Sequence, residues 1–175
     1  MVAQGIEAGG HVRGVQHLDH VLAETLASVD LPVVAAGGIG SSDRVAQLLE
    51  AGAGAVRVGT RFVAASESGA HPDYVKLLIA ASRDDTVLTE TFRTGWPDAP
   101  HRVLRTAVDG ASAFTGSVVA RSGGREIPRF AFVPPTRQTR GAITAMALYA
   151  GESVDYVQRV QPAAEITAEL IEAIE

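Results

Sequence analysis

The sequence predicts an α/β fold built on parallel strands, and three observations carry that expectation. Short apolar runs recur at Val2 to Gln4, Leu31 to Ala36 and Ala55 to Val58. Each run leads into a glycine-containing loop and then into an amphipathic stretch. The middle run is apolar on consecutive positions instead of alternating ones, as in a parallel strand covered on both faces. Strands that alternate with helices leave two architectures open, a doubly wound sheet or a (β/α)8 barrel, and both place ligands at the carboxyl ends of the strands.

In the first unit, "GIEAGGHVRG" separates the strand from "VQHLDHVLAETLASV", where Leu18, Val21, Leu22, Leu26 and Val29 recur at helical spacing. In the second, Ser42 or Asp43 is expected to cap a helix carrying Val45, Leu48 and Leu49, with Gly52 at its left-handed exit. The third strand feeds a turn at Gly59, and a helix over residues 72–82 follows it, with His71 and Pro72 at its start. Beyond Asp84 the pattern weakens. Gly, Pro and Arg are dense over 83–140, which reads as an irregular covering segment with one hairpin turn at Ser122-Gly123-Gly124. Two helical patterns over 141–175, broken near Gly151 and at Pro162, close the chain.

Composition narrows the function. The 175 residues are 46% apolar and 20% charged, which suits one globular domain with a sizeable core. Fifteen basic residues against 20 acidic ones give a net charge of -5, and the arginines are scattered, so no basic face offers itself to nucleic acid. No stretch approaches a membrane span and no signal peptide is evident, so a cytoplasmic location is expected. With no cysteine there is neither a disulfide framework nor a thiolate site. His17 and His20 share a helix face without further ligands, and no metal is expected.

The loops carry the chemistry. Glycines at 37, 38, 40 and 59 let main-chain N–H groups approach a ligand without an intervening Cβ, and two such loops on neighbouring βα units suggest a phosphate cradle. The spacing is neither the dinucleotide fingerprint nor a P-loop. His11 follows Gly9 and Gly10 at the strand ends, where an imidazole can take a proton near neutral pH. Gln4 suits either a cofactor ring edge or backbone groups, Glu7 reads as a solvated carboxylate rather than an orienting group, and Arg61 fits a phosphate or a salt bridge. Trp96, His101 and Tyr149 read as packing or loop residues.

In series, "VAQGIEAGGHVRG", "VVAAGGI" and "VRVGTRF", then "AHPDYVKLL" and "DDTVLTETF", resemble the C-terminal half of the nitronate monooxygenase family, formerly 2-nitropropane dioxygenase. That family shares its flavin-binding barrel with FMN-dependent enoyl-ACP reductases. "ALYAGESV" and "QPAAEI" resemble its C-terminus, while 110–140 stays unassigned. The resemblance implies a partial (β/α)8 TIM barrel, strands six to eight plus a C-terminal helical extension, holding non-covalent FMN. It implies a phosphate held around Gly37, Gly38, Gly59 and Thr60 with Arg57 and Val58 on the same stretch, and flavin contacts from Gln4 and Gly9. His11 matches the base that deprotonates a neutral nitroalkane, and FMN carries electrons from the nitronate to O2, giving a carbonyl compound and nitrite.

A full barrel needs about 250 residues. Strands one to five are therefore expected from a complementing N-terminal half-barrel or a homo-oligomer, since three parallel strands leave open edges. Two other functions fit the same loops: an enoyl-thioester reductase using NAD(P)H, and a non-catalytic remnant that binds a phosphate ligand.

Overall fold

The computed structural model describes residues 1–174. Its organising element is a parallel sheet of β1 (Val2–Gln4), β3 (Val34–Ala36) and β4 (Ala55–Arg57), with β3 in the centre. The register pairs Ala3 with Ala35 and Ala35 with Val56. Ala35 is fully buried, as expected of a central strand covered on both faces. Between β1 and α1 (Leu18–Ser28) lies the two-residue β2 (Gly10–His11). α1 buries Leu18 and Leu22 against the sheet, each worth about 1.5–3 kcal/mol of transfer free energy.

α2 (Ser42–Glu50) buries Val45 and Leu48. Its cap is Ser41, whose side chain accepts a hydrogen bond from the Arg44 N–H at 3.3 Å, and not Ser42 or Asp43 as expected. The reason is conformational. Ser41 is extended, with φ −125° and ψ 159°, as a capping residue must be, while Ser42 is already helical. A single helical turn, α3 (Thr60–Val63), follows β4 directly, and α4 (Pro72–Ala80) starts at His71, whose Nδ1 accepts from the Asp73 N–H at 3.1 Å.

The stretch 83–140, expected to be irregular, is regular over much of its length. β5 (Thr86–Thr89) pairs antiparallel with β6 (His101–Leu104), and β6 also pairs with β2, matching His11 to His101. α5 (Arg105–Ala113) leads to a hairpin of β7 (Val118–Ser122) and β8 (Arg125–Pro128), which turns at Gly123 and Gly124 as expected, and β9 (Arg140–Gly141) completes that sheet. β6 is buried at all four positions although two of them are His and Arg, so no hydrophobic alternation marked it.

Among the described residues of the C-terminal segment only α6 (Ala163–Ile171) is an α-helix. The expected helix before Gly151 is instead an extended run flanked by 3-10 turns at Ile143–Ala145 and Glu152–Tyr156. Its backbone bonds to β6, Leu104 N–H to the Leu148 carbonyl at 2.9 Å, and Ala145 to Leu148 are buried on all sides. An apolar run enclosed in this way has no amphipathic period to read. One core lies around the parallel sheet, α1, α2 and α6; the other gathers Leu78, Phe92, Leu104 and Met146 beneath the antiparallel strands. Among the described residues, no helix is long and apolar enough to cross a membrane.

Candidate functional site

The carboxyl ends of β1, β3 and β4 open into a cavity of about 560 Å³. Eight of the nine residues singled out in the sequence line it: Gln4, Gly9, His11, Gly37, Gly38, Arg57, Gly59 and Thr60. Val58 does not, because its side chain turns to an apolar groove between α2, β4 and α6.

Each loop is fixed by its own physical need. Gly37 and Gly38 have φ of 112° and 67°, in the left-handed region. A Cβ at Gly37 would also lie 3.1 Å from the Ala8 nitrogen, so both conformation and space demand glycine there. Gly59 differs. Its φ is −112° and an added Cβ would meet nothing within 4 Å, so neither strain nor packing explains it. Gly59 lines the cavity, and an added Cβ there would stand in open space. The N–H groups of Gly38, Gly59 and Thr60 donate to no protein acceptor among the described residues. A short, bare, amide-lined cradle of this kind fits a phosphate group. α3 is a single turn, so the free amides themselves carry that affinity, not a helix dipole.

The remaining loop residues hold the frame. Gln4 Nε2 donates to the His11 carbonyl at 3.2 Å, fulfilling the backbone role foreseen for it while still lining the cavity. Glu7 is not a solvated carboxylate: both of its oxygens accept from the Leu18 N–H at 3.2 Å, and it lies 3.0 Å from His17 Nδ1, so it caps α1 from a distant loop. Arg61 is buried, donates to the Gly40 carbonyl at 3.0 Å and pairs with Glu169, so of its two foreseen roles it takes the salt bridge. The Thr60 hydroxyl accepts from the Gly151 N–H at 3.0 Å.

His11 stands at the cavity wall inside an aromatic cluster. Trp96 stacks on its ring at 4.0 Å and 23°, and Tyr149 and His101 lie at 5.6 and 5.4 Å. Its Nε2 is buried with no hydrogen-bond partner. Burial, and then the neighbouring His101, hold the imidazole below its ordinary value of 6.5, which favours the neutral, proton-accepting form. His101 is fixed by two bonds: Nδ1 donates to the Ala99 carbonyl at 2.8 Å and Nε2 accepts from the Phe92 N–H at 3.2 Å. That pattern is the neutral tautomer. Tyr149, pushed up to about 12 by burial, donates its hydroxyl to the Phe132 carbonyl at 2.6 Å.

Sequence reasoning missed the cavity's far wall. Tyr149 and Ser153 line it, and the signal available was the "ALYAGESV" stretch, seen only as a family-like terminus. Trp96, His101 and Tyr149, read as packing, all converge on His11.

Parallel strands with glycine loops opening on one amide-lined, histidine-bearing cavity define an α/β protein with an enzyme-type ligand site at its strand ends. The nitronate monooxygenase family model matches residues 1–173. The chain belongs to that family of oxidoreductases. It is 46% identical over 101 residues to a nitronate monooxygenase of Pseudomonas aeruginosa, covering 53% of this chain and 28% of that protein. It is 36% identical over 119 residues to a Rhodococcus jostii protein named as a 5-hydroxy-7a-methyl-1-oxo-octahydro-1H-indene-4-carboxyl-CoA dehydrogenase, covering 67% of this chain and 32% of that one. Among solved structures, FabK from Thermotoga maritima superposes with a TM-score of 0.69 at 26% identity, covering 98% of this chain and 52% of that one. A nitroalkane oxidase from Streptomyces ansochromogenes gives 0.65 at 30% identity, covering 98% and 51%. The chain thus spans about half the length of the solved structures it matches.

Proposed function

We propose that this chain forms the FMN-phosphate and proton-accepting part of a nitronate monooxygenase, acting on small nitroalkanes or their nitronates with O2. The observation that carries the reading is Gly59, whose only evident reason is the open, amide-lined space it leaves beside the free N–H groups of Gly38 and Thr60. Those amides would hold the phosphate dianion, with the exposed Arg57 guanidinium on the same wall. Gln4, Gly9 and Tyr149 would bound the flavin and substrate space. When bound, FMN supplies the electron transfer between nitronate and O2. This chain's own part is the proton. His11 accepts the hydrogen from the carbon next to the nitro group, the electron pair of that C–H bond moves onto the nitro group, and the nitronate anion results.

The half-exposed Val2 on edge strand β1, with β4 as the other edge, supports a partial barrel of strands six to eight whose edges pair with a complementing half-barrel. Oxygen uptake by the FMN-loaded protein, with nitroethane and ethylnitronate as substrates, tests the reading. Nitrite formation is expected, and its absence with both substrates contradicts the reading. A second reading, a flavin-dependent reductase of a thioester, is favoured by the relative named for a CoA thioester. NADH oxidation with crotonyl thioester, without nitronate turnover, selects it.

A further inference from the structure

The segment between β5 and β6 carries the chain's single tryptophan, Trp96. Trp96 is 48% exposed, yet its indole lies flat on the His11 ring at 4.0 Å. Two left-handed residues, Gly95 at φ 93° and Asp98 at φ 52°, bracket it and turn the segment over the imidazole. Phe132 meets the indole edge-on at 5.9 Å and 89°, and Tyr149 holds Phe132 by its carbonyl. On the far side His101 is locked by both of its nitrogens. His11 is thus held on several sides while its Nε2 has no partner. A buried nitrogen left unpaired costs about 1–3 kcal/mol, a cost recovered when a donor arrives.

We propose that Trp96 is a positioning residue for His11: the stacked indole keeps the imidazole dry and in place, with Nε2 free to take a proton from a substrate entering beneath it. The inference deepens the function proposed above and rests on His11 being its base. The titratable groups facing the imidazole are His101 on β6, which adds to the lowering by burial, and Tyr149 in the return segment, and neither is a carboxylate that would offset it. Glu90 acts on His101. Removing the indole admits water to the ring and lifts the burial that disfavours its protonation.

The single tryptophan provides a reporter that needs neither flavin nor turnover. In the full chain, Trp96 emission is expected to fall as pH drops, with a midpoint below 6.5, because a protonated imidazole quenches a stacked indole. In His11→Gln that transition disappears. By NMR, the His11 ring of Trp96→Ala titrates nearer 6.5 than in the native chain, and Trp96→Phe restores the lower midpoint. An emission profile unchanged by His11→Gln, or a His11 midpoint equal in the native chain and Trp96→Ala, overturns the proposal. Should Trp96→Ala fail to fold by circular dichroism, the His11→Gln emission profile decides alone. Failure of the flavin reading looks different: no FMN binding and no nitronate oxidation, with the Trp96–His11 titration intact.

Discussion

Gly9 and Gly151 lie back to back: a Cβ on Gly9 would sit 2.4 Å from the Gly151 nitrogen, and one on Gly151 would sit 2.6 Å from the Gly9 nitrogen. This contact joins the first glycine loop to the C-terminal return, and the Glu152 N–H to Glu7 carbonyl bond at 3.0 Å continues it. The cavity's two walls meet there. Gly151→Ala must push backbone apart, so a loss of about 1–3 kcal/mol or more is expected in urea unfolding, together with weaker flavin binding.

Gly59→Ala is the converse case. Nothing stands within 4 Å of its added methyl group, so stability is expected to stay within about 0.5 kcal/mol. The methyl group instead occupies the proposed phosphate space. Flavin titration should show a clear loss of affinity in this variant while its melting temperature holds.

Arg61 and Glu169 tie the turn after β4 to α6. Arg61→Ala leaves the Gly40 carbonyl without its side-chain donor and takes one donor from the Glu169 carboxylate, which keeps Arg159 and Gln161, and is expected to cost about 1–3 kcal/mol. The Arg61 hydrogen bond is the largest cause holding the Glu169 carboxyl below its ordinary 4.5. A depressed folded value gives stability that is present above 4.5 and is lost as pH falls through the folded value. Acid titration of Glu169→Gln should therefore show a shallower loss below pH 4.5 than the native chain.

His11 loses stability on acidification in the same direction, but over a higher pH window and because burial disfavours its charged form. Its folded value lies below 6.5, so its contribution to stability is complete above 6.5 and declines as pH falls from there to the folded value. The neutral base persists over the same window, so kcat/KM for a neutral nitroalkane should decline only below pH 6.5. His11→Asn is expected to lose roughly 10²–10⁴-fold with nitroethane but far less with preformed ethylnitronate, as read by oxygen uptake.

Tyr149→Phe removes the hydroxyl that donates to the Phe132 carbonyl. Thermal unfolding should show a loss of about 1 kcal/mol.

The parallel sheet and its glycine loops were legible because a strand covered on both faces is apolar at successive positions and its turns need glycine, as Ala35, Gly37 and Gly38 illustrate. The antiparallel strands were not. β6 buries His101 and Arg102, and the Arg102 guanidinium is satisfied by the carbonyl of Ile6, 96 residues back, a partner that no local pattern announces. Glu7 was misread for the same reason, since its partner is the N–H of Leu18, eleven residues on. His11 was found from its loop, but the rings around it come from three separate segments that only the fold assembles.

The central claim is that the amides around Gly38, Gly59 and Thr60 hold the phosphate of FMN, and the direct test is to titrate the protein with FMN and with riboflavin, which lacks that phosphate. The account predicts FMN binding at least about tenfold tighter, some 1.4 kcal/mol, with the difference abolished in Gly59→Ala. Equal affinity for the two flavins, or a preference untouched by Gly59→Ala, would contradict it.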